Sequence, residues 1–163
     1  MTDFTEAVSR RRVTASALFL NTENEVLIVR PTYRSDEGWL IPGGTVEQGE
    51  SPIEACTREV SEELGNAFST EQLLCIEYQT EYQASQRARD ADIHFVFYGG
   101  VLSDSEIQRI ELPAGELSEF RFCERAEAMK LLCPRLRKRL GFALTALERR
   151  QVIYIENEVK IRH

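Results

Sequence analysis

The stretch from Ser51 to Gly65 constrains this chain more tightly than any other. Ser51 can cap a helix N-terminus, Pro52 suits the first helical position, and Glu54 completes an S-x-x-E capping box. Gly65 stands where a left-handed residue ends a helix. These signals predict one helix over Ser51–Leu64. An α-helix turns about 100° per residue, so Glu59, Glu62 and Glu63 fall within about a 100° arc of one face. Ile53, Cys56, Val60 and Leu64 form the neighbouring apolar stripe. Such a helix buries the stripe and carries its acids along the edge. Carboxylates this close repel one another and destabilise an isolated helix. Something positive must offset the repulsion, and Mg²⁺ or Mn²⁺, as hard cations, prefer oxygen ligands. Arg58 projects to a different side, where it can pair with a neighbouring carboxylate. Glu50, just before the cap, can return toward the acids or their solvent shell. The alternative for a Glu-rich helix is a solvated acidic face with basic partners. Here Glu59, Glu62 and Glu63 have no basic residue four positions further on, and Gly43-Gly44 precedes them in a tight loop.

Around this helix the chain alternates strands and helices. Val13–Leu20 and Val26–Val29 read as a hairpin across the turn cluster Asn21–Asn24. Trp39–Ile41 reads as a short buried strand stopped by Pro42-Gly43-Gly44. Leu73–Gln83 and Ile93–Leu102 read as longer strands joined by the charged stretch Gln86–Asp92, and Leu117–Phe122 as another. Phe95 and Phe97 alternate with His94 and Val96, which predicts one core face and puts His94 in a pocket or at the surface. Glu124–Leu132 and Arg135–Arg149 carry helical patterns that Pro134 divides. Val152–Ile155 reads as a terminal strand followed by a turn at Asn157. There is no repeat and no linker, so the expectation is one layered α/β or α+β domain over residues 1–163.

Composition excludes several classes. Hydrophobic residues make up 42% of the 163, enough for one sizeable core. The net charge of −7 argues against stable nucleic-acid binding but not against a small anionic substrate bridged by a metal ion. Cys56, Cys75, Cys123 and Cys133 form no C-x-x-C pair and predict buried free thiols rather than a zinc site. Residues 1–12 are polar, with no apolar signal region, and no segment is long enough to span a bilayer. A cytoplasmic, membrane-free location is the expectation.

The segment from Gly44 to Asn66 resembles the Nudix box, G-x5-E-x7-R-E-U-x-E-E-x-G-U, where U is a bulky aliphatic residue. All the fixed letters match: Gly44, Glu50, Arg58, Glu59, Glu62, Glu63 and Gly65. Val60 supplies the first aliphatic position, and Asn66 departs from the last. Trp39-Leu40-Ile41-Pro42-Gly43-Gly44 is similar to the W-x-x-P-G-G approach of many members. The resemblance to the MutT-like Nudix hydrolases implies a mixed β-sheet between α-helices, with the box as a loop–helix–loop.

The resemblance also implies roles. Glu59 and Glu63 would be metal ligands, with Glu62 a further ligand or the residue that orients water. A carbonyl of Gly43 or Gly44 would add a ligand, and Arg58 would hold the catalytic glutamates. Glu116 would be the acid contributed by a late loop, with Glu119 and Glu111 as its alternatives. The cofactor would be Mg²⁺, with Mn²⁺ able to replace it. The implied reaction is attack of water on a diphosphate linkage in a nucleoside diphosphate derivative: an oxidised (d)NTP, a nucleotide sugar or a dinucleoside polyphosphate. The competing reading is a non-catalytic Nudix-like module that binds a nucleotide as a sensor, and the intact Glu59, Glu62 and Glu63 count against it. Substrate contacts are expected from Arg30, Arg34, Glu50 and Tyr82. Tyr78 shares a strand face with Tyr82 and could stack on a base. Homodimers are frequent among such proteins, and the C-terminal segment could contribute to one.

Overall fold

A computed structural model describes residues 11–32, 38–70, 72–80 and 92–161. Arg34, Tyr82 and most of the 86–92 connection lie outside the described residues. The sheet is built on β1 (Arg12–Asn21), whose uncharged interior lets it be buried on both faces. Leu18 and Leu20 point to one core, Ala15, Ala17 and Phe19 to the other. β2 (Val26–Pro31) pairs antiparallel with the C-terminal end of β1, placing Val26 opposite Leu20. β3 (Gly43–Thr45) takes over at the N-terminal end, with Gly44 opposite Ala15. On its other side β1 runs parallel to β5 (Asp92–Leu102) along its whole length. β4 (Gln72–Tyr78) lies antiparallel to β5 and parallel to β7 (Ile153–Glu156), which turns back into β8 (Val159–Lys160). β6 (Leu117–Cys123) closes the opposite edge on β2. The order is therefore β6-β2-β1-β5-β4-β7-β8.

Helix α1 (Pro52–Leu64) covers the face carrying Ala15, Ala17 and Phe19. The single turn α2 (Asp104–Ile107) follows β5. Helices α3 (Arg125–Leu131) and α4 (Pro134–Arg149) cover the other face, where Leu136, Leu140, Ala143 and Leu144 meet Leu18, Leu74, Val96 and Ile153. This is the mixed sheet between helices that the resemblance implies, within the layered α/β or α+β domain that the pattern predicts. Pro134 begins α4 at its first position, where a missing N–H costs nothing. No helix among the described residues is long and apolar enough to cross a membrane. The four cysteines are free, with Cys56, Cys75 and Cys123 buried.

Some expectations need correction. Trp39–Ile41 is not a strand. Leu40 exchanges hydrogen bonds of 2.8 and 2.9 Å with Val29, while Trp39 bonds to Leu131 and Cys133 at the α3–α4 junction. Three residues divided between two partners cannot extend one ladder, and Pro42 has no N–H to continue it. The strand begins only at Gly43. Ile53 is left out of the buried stripe of α1, and its place is taken by Ala55. His94 is not at the surface. β5 lies in the middle of the sheet, so Phe95 and Phe97 pack toward α1 while His94 and Val96 are buried toward α4. The His94 ring bonds to the hydroxyls of Thr14 and Ser16, the latter at 2.9 Å.

The same buried layer holds an ion pair. Arg139 Nε on α4 donates to Glu77 Oε2 on β4 at 2.7 Å, and the Glu158 N–H donates to Glu77 Oε1 at 3.2 Å. One carboxylate thus joins α4, β4 and the β7–β8 turn. Glu77→Ala would strand the Arg139 charge and is expected to lower stability by about 3–5 kcal/mol, read as a fall in the urea midpoint. His94 supplies a pH signature. Burial, reinforced by the charges of Arg139, Arg135 and Arg12, holds its pKa well below the ordinary value. Below about pH 6.5 the unfolded chain binds a proton at this site that the folded chain refuses. The His94 contribution to stability is therefore complete above that pH and falls as the solution is acidified. Glu63, raised to about 8, acts in the opposite direction over the same range, so His94 is read as a difference. The urea midpoint of wild type relative to that of His94→Gln should fall between about pH 7.5 and 5.5.

Candidate active site

Helix α1 begins as its capping signals predict. The Ser51 N–H donates to Glu54 Oε2 at 2.7 Å, and the Ser51 hydroxyl accepts the Glu54 N–H at 3.4 Å. It ends at Gly65 with φ of 71°. Cys56, Val60 and Leu64 press onto the sheet, and this fixes the rotation of the helix. Glu59 and Glu63, on successive turns, are thereby brought against β3.

Two glycines make the approach possible. Gly43 has φ of 139°, and a Cβ there would lie 2.2 Å from the Ala15 carbonyl oxygen in the adjacent strand. Its N–H donates to Glu63 Oε2 at 2.8 Å. At Gly44 a Cβ would lie 2.3 Å from the carboxyl carbon of Glu59. The first glycine is demanded by the sheet and the second by the acid.

Arg58 gathers the surroundings. Its guanidinium meets Glu50 at 2.7 and 3.2 Å, Glu59 at 3.1 Å and Glu62 at 3.2 Å, and donates to the Thr45 carbonyl at 3.1 Å. Glu50 does not return to the acid cluster. It is held by Arg58 and by the Glu47 N–H, which together keep its carboxyl below the usual range. Glu62 turns toward Arg58 and solvent, with its side chain 55% exposed.

The electrostatics separate the acids. Burial pushes Glu63 up to about 8, opposed by the Gly43 N–H and reinforced by the charges of Glu59, Glu116 and Glu62. Burial also raises Glu59, with Arg58 opposing. Glu116 is thus near enough for its charge to be felt at both, and its backbone is tied to β2 by the Thr32 N–H at 2.9 Å. Of the alternatives, Glu119 pairs with Arg121 at 3.2 Å, and Glu111 donates its N–H to the Leu64 carbonyl. Arg30 sits on β2 opposite Glu119. Tyr78 carries Arg11 over its ring at 4.5 Å rather than standing free for a base. Thr32 and Thr45 escaped the sequence reading, since their contacts to Glu116 and Arg58 leave no local pattern.

Among the described residues, no three His, Cys, Asp or Glu side chains form a ready-made metal cluster. The donor chemistry nevertheless suits a hard cation. Glu59 and Glu63 offer oxygens from adjacent turns, Gly44 leaves room beside Glu59, and both carboxyls are raised by burial first and by neighbouring acids second.

The fold and box define a MutT-like Nudix protein. The family profile for the NUDIX domain matches residues 10–141, and the chain belongs to that family. Over 95 residues it is 40% identical to a mouse protein named 8-oxo-dGDP phosphatase NUDT18, covering 55% of this chain and 27% of that one. The human protein of the same name is 42% identical over 62 residues, covering 37% of this chain and 19% of its own length. The chain thus matches about a quarter or less of these relatives' length. A MutT protein from Methanosarcina mazei Go1 superposes with a TM-score of 0.66 at 22% identity, covering 85% of this chain and 94% of that one. A UDP-X diphosphatase superposes at 0.67 with 19% identity, covering 95% and 76%. These structural likenesses establish the fold.

Gly44→Ala tests the Glu59 contact directly. The backbone at this position is ordinary, so the chain should fold, but the added methyl must displace the carboxylate. Mn²⁺ affinity, titrated without substrate, is expected to fall by about 10–100-fold, and an unchanged affinity would remove Glu59 from the ligand set.

Proposed function

We propose that the chain is a metal-dependent hydrolase that cleaves the diphosphate linkage of a nucleoside diphosphate derivative. The single observation that carries this reading is the seating of Glu59 and Glu63, one turn apart, against Gly43-Gly44. Two half-buried carboxyl groups, Glu59 held by Arg58 and Glu63 by a backbone N–H, present oxygens close together that a small hard cation would bind. Mg²⁺ is the expected ion, with Mn²⁺ as a substitute. Glu59 and Glu63 would hold it, with Glu62, Glu116 and a Gly43 or Gly44 carbonyl as further donors. A divalent ion in this place supplies positive charge against phosphate oxygens and makes a water molecule more acidic.

The remaining work falls to the chain's own residues. The Gly43 N–H fixes Glu63 Oε2 and leaves Oε1 for a cation or a proton. Arg58 restrains Glu59 and ties the helix to the Thr45–Glu50 loop, so the acids need little reorganisation when charge develops opposite them. Arg30, Arg34 and Tyr82 are the proposed substrate contacts. Glu50, already committed to Arg58, acts through that residue.

The mouse and human relatives carry the name 8-oxo-dGDP phosphatase, which makes an oxidised deoxynucleoside diphosphate the first substrate to try. Neither a membrane nor a nucleic acid is needed by this reading. Purified chain should be incubated with Mg²⁺ and a panel of 8-oxo-dGDP, dGDP, a nucleotide sugar and a dinucleoside polyphosphate. Phosphate or nucleotide release is expected for at least one member, and Glu63→Gln should lower kcat by about 10²-fold or more. Nucleotide binding without turnover would instead support the sensor reading, and turnover indifferent to Glu63→Gln would defeat the proposed site.

A further inference from the structure

Asn66 stands where the box pattern has a bulky aliphatic residue, and the fold gives it a different task. Its half-buried carboxamide donates from Nδ2 to the Arg109 carbonyl and, at 3.5 Å, to the Leu64 carbonyl. Next to it, the Glu111 N–H donates to the Leu64 carbonyl at 3.0 Å. Gly65 passes so close that a Cβ would lie 2.6 Å from the Glu111 carbonyl oxygen. Together these contacts bind the end of α1 to the stretch Arg109–Glu111.

That stretch leads directly to Glu116. The connection is Leu112-Pro113-Ala114-Gly115, and Pro113 restricts its own φ. At the far side Glu116 is anchored by its carbonyl to the Thr32 N–H at 2.9 Å, with the Thr32 hydroxyl donating to the Gly115 and Glu116 carbonyls. Glu116 is therefore suspended between two fixed points: the end of β2 and the end of the acid-bearing helix. Ile107, Ile110 and Leu112 pack against the α1 core. Apolar contact holds a segment against a helix but sets its register along the axis weakly, because it is non-directional. A hydrogen bond to one carbonyl supplies direction. An aliphatic side chain at 66 could join the packing but could not donate.

We infer that Asn66 is a positioning residue that latches the late loop to α1 and so sets where Glu116 stands relative to Glu59 and Glu63. The inference rests on the proposed site insofar as Glu116 serves it, but the latch itself is a matter of backbone registry and can be read without catalysis.

Two substitutions test it. Asn66→Asp keeps the shape and turns the donor into an acceptor facing carbonyl oxygens. Asn66→Leu restores the aliphatic residue type and removes the donor. Amide exchange over residues 109–116 should rise about fivefold in both, the change that loss of one hydrogen bond brings, while β4, β5 and α4 exchange as in wild type. Mn²⁺ affinity without substrate should fall by a similar factor. Glu116→Gln should reproduce that fall, and adding Asn66→Leu to it should bring little more, since both act through one group. Unchanged exchange over 109–116 in Asn66→Leu, or fully additive losses of Mn²⁺ affinity, would overturn the latch. If Asn66→Asp loosens the whole chain, the Asn66→Leu arm decides. Wild type that binds Mn²⁺ yet turns over no nucleotide would sink the proposed hydrolase, and the exchange result would still judge Asn66.

Discussion

Like charges held close together are the constraint on which this structure turns. Glu59 and Glu63 repel, and a helix carrying them alone would gain by moving them apart. Arg58 prevents it. One guanidinium contacts Glu50, Glu59, Glu62 and the Thr45 carbonyl, so it lowers the local repulsion and welds α1 to the loop ahead of it. The planar fork makes this arrangement possible. A lysine at 58 would carry the charge but could not meet so many oxygens in fixed directions. Burial, more than the neighbouring acids, still raises both Glu59 and Glu63. A cation would favour their ionised forms over the protonated ones.

The sheet contributes the other wall of the site. β1 is shared end to end by β2 and β3, and at its N-terminal half the partner strand β3 opens with two glycines. That is where α1 presents its acids. Replacing either glycine by a larger residue would press on Ala15 or on Glu59, so strand pairing and acid placement compete for the same small volume. The helix in turn owes its rotation to Cys56, Val60 and Leu64 on the core. Packing decides which way the carboxylates point, and backbone polarity decides where Glu63 stops.

How much of this was legible in the sequence follows from the range of each interaction. α1 was readable residue by residue, because its cap, its proline and its terminal glycine act within one turn. The roles of Gly43 and Gly44 were readable only as a resemblance, since Gly-Gly-Thr has little strand preference and becomes a strand through β1. His94 was misplaced for the same reason. Its alternation with Phe95 looks like a half-buried strand, but a strand between parallel and antiparallel neighbours, covered by helices on both faces, has no wet side. The Thr32–Glu116 tie joins positions 84 apart and has no local signature at all. Arg34 and Tyr82 lie outside the described residues, so their proposed contacts rest on the sequence.

The departure at Asn66 shows how a family pattern and a particular fold can differ without conflict. An aliphatic residue at that point serves packing after the helix. Here Phe68, Ile107, Ile110 and Leu112 already supply apolar cover for the end of α1. With packing satisfied, the position is free to carry a donor, and the carbonyls of Arg109 and Leu64 are within its reach. The Leu64 carbonyl at the helix C-terminus, and the nearby Arg109 carbonyl, need donors as much as a core needs methyl groups. A pattern written in residue types records one of these needs, and the structure answers both.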